Sequence, residues 1–161
     1  MHNFCILQVD DDENEIRLLQ YAAQVANLSS CLRAVSSGQE AIDYIEGKGS
    51  YADRSQYPAP KVLLLDLRMP RLNGFDVLRW VRAQENLRGV VVIMFTASAH
   101  PDDIGQACDL GANAFVQKPS SHAELVSFLR QLKGFWHDFH QFPPDRFDRT
   151  IRELSKPELT P

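Results

Sequence analysis

Four consecutive apolar residues, Val62-Leu63-Leu64-Leu65, stop on a carboxylate, Asp66. No other stretch limits the fold of this chain as much. A short run that is apolar at every position suits a strand buried on both faces of a parallel sheet. The residues that follow, Met69-Pro70-Arg71-Leu72-Asn73-Gly74, form a turn, and an amphipathic segment opens at Phe75. In sheets of this kind, ligands bind beyond the carboxyl ends of the strands. Asp66 stands at such an end, and we read it as an aspartate that accepts a phosphoryl group.

The rest of the chain repeats the pattern. Phe4 to Val9 reads as a buried first strand ending on Asp10, Asp11 and Asp12. A helix is expected from about Asn14 to Ala26, with Glu13 and Glu15 near its positive N-terminal end. Cys31 to Val35 is a weaker strand, and Gln39 to Glu46 a short helix started by Ser36-Ser37-Gly38 and stopped by Gly47. Gly47 to Pro60 is rich in Gly, Pro, Ser and Tyr and is expected to be an extended surface loop. After the strand at Asp66 come a helix from Gly74 to Ala83, a strand from Val90 to Phe95, and a helix from Pro101 to Leu110 that lacks strong apolar residues. Ala114 to Gln117 is the last strand, and His122 to Lys133 the last helix. Five strands alternating with five helices predict an α/β fold: a flavodoxin-like (βα)5 doubly wound parallel sheet, strand order 2-1-3-4-5.

Composition removes several classes. The 161 residues suffice for one domain with a real core. A net charge of -4 argues against a domain held to nucleic acid by bulk charge. Cys5, Cys31 and Cys108 are odd in number and widely spaced, so neither a disulfide framework nor a zinc site is indicated, and buried reduced thiols in a cytoplasmic protein are expected. The acidic residues after MHNFCILQV come too early for a signal peptide, and no apolar run approaches a membrane span.

Four strands end on reactive polar residues: Asp10 and Asp11, Asp66, Thr96, and Lys118. The order 2-1-3-4-5 sets those ends side by side in one cleft. Three crowded carboxylates call for a cation, and hard oxygen donors suit Mg²⁺. Lys118 offers a positive charge to one phosphoryl oxygen, Thr96 a hydroxyl to another, and Asp66 remains as the nucleophile. Each has a plainer reading. Asp10 to Asp12 suit helix capping, Asp66 a turn cap, Thr96 a loop backbone partner, and Lys118 a solvated lysine. Their joint placement at successive strand ends favours the functional reading, with Asp12 left as a cap.

In their order along the chain, DDD, DLRMPRLNGFDVL, FTAS and FVQKP resemble a two-component response-regulator receiver domain over roughly residues 4 to 133. The resemblance implies that Asp66 is charged from a phosphohistidine on a sensor histidine kinase. It implies that Asp11 ligates Mg²⁺ directly, Asp10 through water, and the backbone carbonyl of Arg68 as a third ligand. It also implies that Lys118-Pro119 is a cis bond, and that Thr96 and Phe115 are the moving parts of the switch. Phe115 occupies a place where the family often has Tyr, so its signal would be read by packing without a hydroxyl. Arg68 places a long cation beside the phosphoryl site, where it would alter hydrolysis or extend into solvent.

Two further features resemble the stand-alone receivers that partner bacterial phytochromes: the Gly47 to Pro60 insertion and the aromatic stretch GFWHDFHQFP, Gly134 to Pro143. The expected organisation is a receiver over 1-134 and an aromatic-rich extension over 135-161 with no output domain, signalling by protein contact or phosphorelay. Phe135, Trp136, Phe139 and Phe142 are expected to be partly exposed and to support a homodimer. A short helix near Arg146 to Leu154 is one reading of the tail. A chain of this kind catalyses only its own phosphorylation and dephosphorylation. Competing readings are a Mg-dependent aspartyl phosphatase, a phosphorylation-independent receiver-like module and a flavin-binding protein. The first usually carries an aspartate where Arg68 stands, the second lacks a reason to keep the acidic site, and the third needs a phosphate loop where the acids are.

Overall fold

The computed structural model describes residues 4-143 of the chain, so a helix near Arg146 to Leu154 lies outside the described residues. The elements run β1 (Ile6–Val9), α1 (Glu13–Val25), β2 (Leu32–Val35), α2 (Gly38–Glu46), β3 (Val62–Leu65), α3 (Gly74–Ala83), β4 (Val91–Thr96), α4 (Pro101–Asp109), β5 (Ala114–Gln117) and α5 (His122–Trp136). The five strands form one parallel sheet in the order β2-β1-β3-β4-β5, as the alternating sequence pattern requires. Every residue of β1, β3 and β4 is buried, while the edge strand β5 is partly open.

Alternation along the strands divides the core in two. Leu7, Val9, Leu63, Leu65, Val92 and Met94 pack toward α2 and α3. Ile6, Val62, Leu64, Ile93 and Phe95 pack toward α1 and α5, where Phe95 stacks on Phe128. Several helices start on a side-chain cap. Asp12 accepts from the Asn14 N–H at 2.8 Å, as its capping role predicts, and Ser37 caps α2. Asn73 with Asp76, and Ser121 with Glu124, form capping boxes on α3 and α5.

Gly74 sets the join between β3 and α3. A β-carbon there would lie 2.4 Å from the Asp66 carbonyl oxygen and 2.9 Å from Leu67 Cα, both backbone atoms that cannot turn aside. Only glycine lets the N-terminus of α3 press this closely on the strand end that presents Asp66.

Four expectations change. The segment from Gly47 to Pro60 is no plain extended loop: it holds a 3-10 turn, Gly49–Tyr51, and packs inward. Arg54 donates to the carbonyls of Tyr44 (2.8 Å), Ile45 (2.6 Å) and Tyr57 (3.2 Å), serving the end of α2, and Tyr44, Tyr51 and Tyr57 form an aromatic cluster. Tyrosine edges and an arginine fork supply the contacts that periodicity does not reveal. Second, the Lys118-Pro119 bond is trans, not cis. Trans is the favoured isomer of an X-Pro bond by about 0.5–1 kcal/mol, and the Lys118 N–H donates to the Thr96 carbonyl at 2.8 Å. Third, burial holds for Cys5 alone, whose thiol burial pushes up to about 11; Cys31 is half-buried and Cys108 exposed. Fourth, α5 continues to Trp136, and the aromatic stretch divides. Trp136 and Phe142 turn inward onto Phe4 and one another, while Phe135 and Phe139 stay exposed.

Candidate functional site

The carboxyl ends of β1, β3, β4 and β5 meet above the sheet. Asp10 and Asp66 leave adjacent central strands and are buried, whereas Asp11 is exposed. Both chains are fixed by main-chain bonds: Asp10 N–H to the Val35 carbonyl at 3.2 Å, and Asp66 N–H to the Val9 carbonyl at 2.9 Å. Asp10 Oδ1 also accepts the Asp12 N–H at 3.0 Å, which ties the acidic corner to the start of α1.

Lys118, one residue past β5, reaches back over the sheet. Its Nζ lies 2.6 Å from Asp10 Oδ2, 3.7 Å from Asp66 Oδ1 and 3.8 Å from Glu15 Oε2. Thr96, at the end of β4, is buried, and its hydroxyl acts on Asp66 to favour the carboxylate. Burial pushes the Asp66 carboxyl above its ordinary value; Lys118 opposes that, Asp10 adds to it, and Thr96 and the Leu67 N–H oppose it again. Burial works against the Lys118 charge, but the hydrogen bond it donates to Asp10 and the charges of Asp66, Asp10 and Glu15 prevail and raise its pKa.

The same corner fits a divalent ion. One oxygen from each of Asp10, Asp11 and Asp66 lies within 4.8 Å of the others. Opposite ligands of a small octahedral ion stand about 4.2 Å apart, at roughly 2.1 Å each, so a small adjustment of these side chains brings the three oxygens onto one ion. The donor set is all hard oxygen, as Mg²⁺ or Mn²⁺ prefers.

The sequence thus anticipates a cluster that the fold assembles from Asp10, Asp11, Asp66, Thr96 and Lys118. Two further residues of the expected site, Arg68 and Phe115, are placed by their own contacts. The Arg68 guanidinium pairs its Nη2 with Asp103 Oδ2 on α4 at 2.6 Å while most of the side chain stays exposed. Phe115 is half-buried, packed with Leu110 and Ala112 against the core on the α3 side.

Sequence reasoning missed three contributors. Glu15 reads as a helix-dipole acid, yet it faces Lys118. Gln8, buried in β1, donates to the Glu15 carbonyl at 3.3 Å and so holds the first turn of α1 against the strand. Asp103 is a buried carboxylate on a helix with few apolar residues, and that imbalance is a sequence signal for a charge that stands in for packing.

Comparison with known proteins agrees with this geometry. Residues 6-130 match the family described as response regulator receiver domain. The chain is 30% identical over 143 residues to a probable methanogenesis regulatory protein, FilR2, of Methanothrix harundinacea, covering 87% of this chain and 88% of that one. The phosphorylated cyanobacterial phytochrome response regulator RcpA superposes with a TM-score of 0.76 at 28% identity, over 87% of this chain and 98% of its own. The Mn²⁺-bound form of the response regulator Rcp1, a protein of a Synechocystis species, gives 0.73 at 25% identity, over 87% and 99%.

Proposed function

This chain belongs to the response-regulator receiver family, and from that premise we propose that it is a single-domain switch phosphorylated on Asp66 by a sensor histidine kinase of the phytochrome type. The observation that carries the reading is the convergence on one buried carboxylate of a carboxylate pair, a lysine ammonium and a threonine hydroxyl. In the proposed transfer, an Asp66 oxygen attacks the phosphorus of a phosphohistidine. The P–N bond breaks, the imidazole leaves, and an acyl phosphate remains until water cleaves it. Asp11 directly, Asp10 through water and the Arg68 carbonyl would hold Mg²⁺ with Asp66, and the ion would neutralise phosphoryl charge. Lys118 stands ready for a second oxygen by exchanging its carboxylate partners for it, and Thr96 for a third.

We take 1-134 as the receiver and 135-161 as an aromatic-rich extension. Signalling runs through protein contact or phosphorelay, with Thr96 and Phe115 as moving parts. The chain turns over only its own phosphoryl group. A homodimer through α5 and the exposed Phe135 and Phe139 fits their 57% and 79% exposure. The net charge of -4 accords with protein partners in place of nucleic acid. We place the chain in the cytoplasm with the kinase that phosphorylates it; among the described residues no helix is long and apolar enough to cross a membrane.

The test is incubation with Mg²⁺ and acetyl phosphate, followed by intact mass. A base-labile adduct of one phosphoryl group on the wild type, absent from Asp66→Asn, is expected. An unlabelled wild type or a fully labelled variant overturns the reading.

A further inference from the structure

Helix α4 is joined to the body of the protein by little packing. Its buried residues are Asp103 and Ala107, and its one large aliphatic side chain near the start, Ile104, is exposed. A single buried alanine contributes little apolar burial, so the polar attachment matters more. That attachment is the pair between Asp103 Oδ2 and Arg68 Nη2 at 2.6 Å, and among the described residues no other cation lies within 4.0 Å of Asp103.

The two partners differ in cost of release. The Arg68 side chain is 70% exposed and can change partners in water; that of Asp103 is 12% exposed. A carboxylate held there without its cation is costly. Asp103 sits in the first turn of α4, behind His100 and Pro101. Hydrating its carboxylate requires α4 to move.

We propose that Asp103 is a positioning residue for the phosphoryl site and that its pair with Arg68 is a latch. Phosphorylation of Asp66 draws the guanidinium off Asp103, and α4 shifts to hydrate the carboxylate left behind. The inference rests on the proposed phosphoacceptor role of Asp66. Arg68 lies on the same loop, two residues further along the chain. A phosphoryl group brings about two negative charges and three acceptor oxygens, which an arginine fork binds better than a lone carboxylate. Phe115 has no hydroxyl to report the event, and a charge relay through Arg68 needs none.

The full chain is treated with Mg²⁺ and acetyl phosphate. Phosphoryl content is read by intact mass, and amide hydrogen exchange is read in peptides covering α4. Phosphorylated wild type is expected to exchange about tenfold faster in α4 than the unmodified protein. Unmodified Arg68→Ala is expected to exchange at the faster rate already, with no more than about a twofold further change on labelling. Asp103→Asn, which leaves no charge to hydrate, is expected to show no phosphorylation-dependent change. Labelled wild type with unmoved α4 overturns the latch alone. So does an Arg68→Ala protein that keeps the wild-type rate and response. Absence of any adduct overturns the phosphoacceptor reading and the latch with it.

Discussion

Lys118 Nζ lies 2.6 Å from Asp10 Oδ2 but 3.7 Å from Asp66 Oδ1. The lysine is therefore held by the carboxylate beside the proposed nucleophile, and it stabilises both acids at once. Lys118→Met leaves them buried without their cation and is expected to cost about 3 kcal/mol at neutral pH. The sign with pH follows from the raised folded-state value of Lys118. Its contribution is full below the ordinary lysine value and is lost as pH rises through the raised one. The gap between wild type and variant in urea midpoints should thus persist from neutral pH to pH 10 and close above it. Equal midpoints at pH 7 would show that the lysine serves phosphoryl binding and not the resting fold.

The raised Asp66 carboxyl makes a prediction about metal. A carboxyl held up by burial takes its proton at a higher pH than an ordinary aspartate, and the protonated form competes with the cation. Divalent-ion affinity should fall as pH drops through the raised value, approaching tenfold per pH unit below it for one competing proton. Asp66→Asn should weaken binding and remove that slope. Titrations of Mg²⁺ or Mn²⁺ by calorimetry between pH 4.5 and 7.5 read both effects; an unchanged slope in the variant would exclude Asp66 as the competing group.

Gly74→Ala tests the join between β3 and α3. The added carbon would meet the Asp66 carbonyl at 2.4 Å and Leu67 Cα at 2.9 Å. Backbone must yield, so a loss of about 3 kcal/mol is expected in denaturant unfolding. Acetyl phosphate labelling should fall more than the loss of folded protein explains, because the shifted atoms carry the nucleophile.

Arg54→Ala should cost about 2 kcal/mol in denaturant unfolding, since it removes the donor to the Tyr44, Ile45 and Tyr57 carbonyls. Labelling of Asp66 in the remaining folded protein should be unchanged. A labelling defect would tie this segment to the site.

The parts legible in the sequence are those with a period or a fixed order. Val62 to Leu65 is apolar throughout because both faces of β3 are covered, and β4 reads the same way. Once the strands are ordered, Asp10, Asp66, Thr96 and Lys118 fall together without any further information. Tertiary partners of single polar side chains have no such signature. Arg68 finds Asp103 35 residues away, and Arg54 finds the end of α2, through contacts that depend on where two loops come to rest. Trp136 likewise differs from Phe135 only by the face of α5 it occupies, and Phe142 from Phe139 only by the course of the chain after α5.

That division of the aromatic stretch supplies a last prediction. Phe142 lies among Phe4, Trp136 and His140, with ring centroids 6.2, 6.2 and 4.6 Å away, so Phe142→Ala should cost about 3 kcal/mol of folding stability. Phe139 is 79% exposed and Phe135 57%, so replacing both with Ser should leave the unfolding midpoint of the monomer within about 0.5 kcal/mol. If the exposed pair forms the proposed dimer contact, sedimentation velocity should show the double variant as a monomer at concentrations where the wild type associates. Unaltered association would move the interface elsewhere, while a monomeric wild type at every concentration would leave the two rings for a different protein partner.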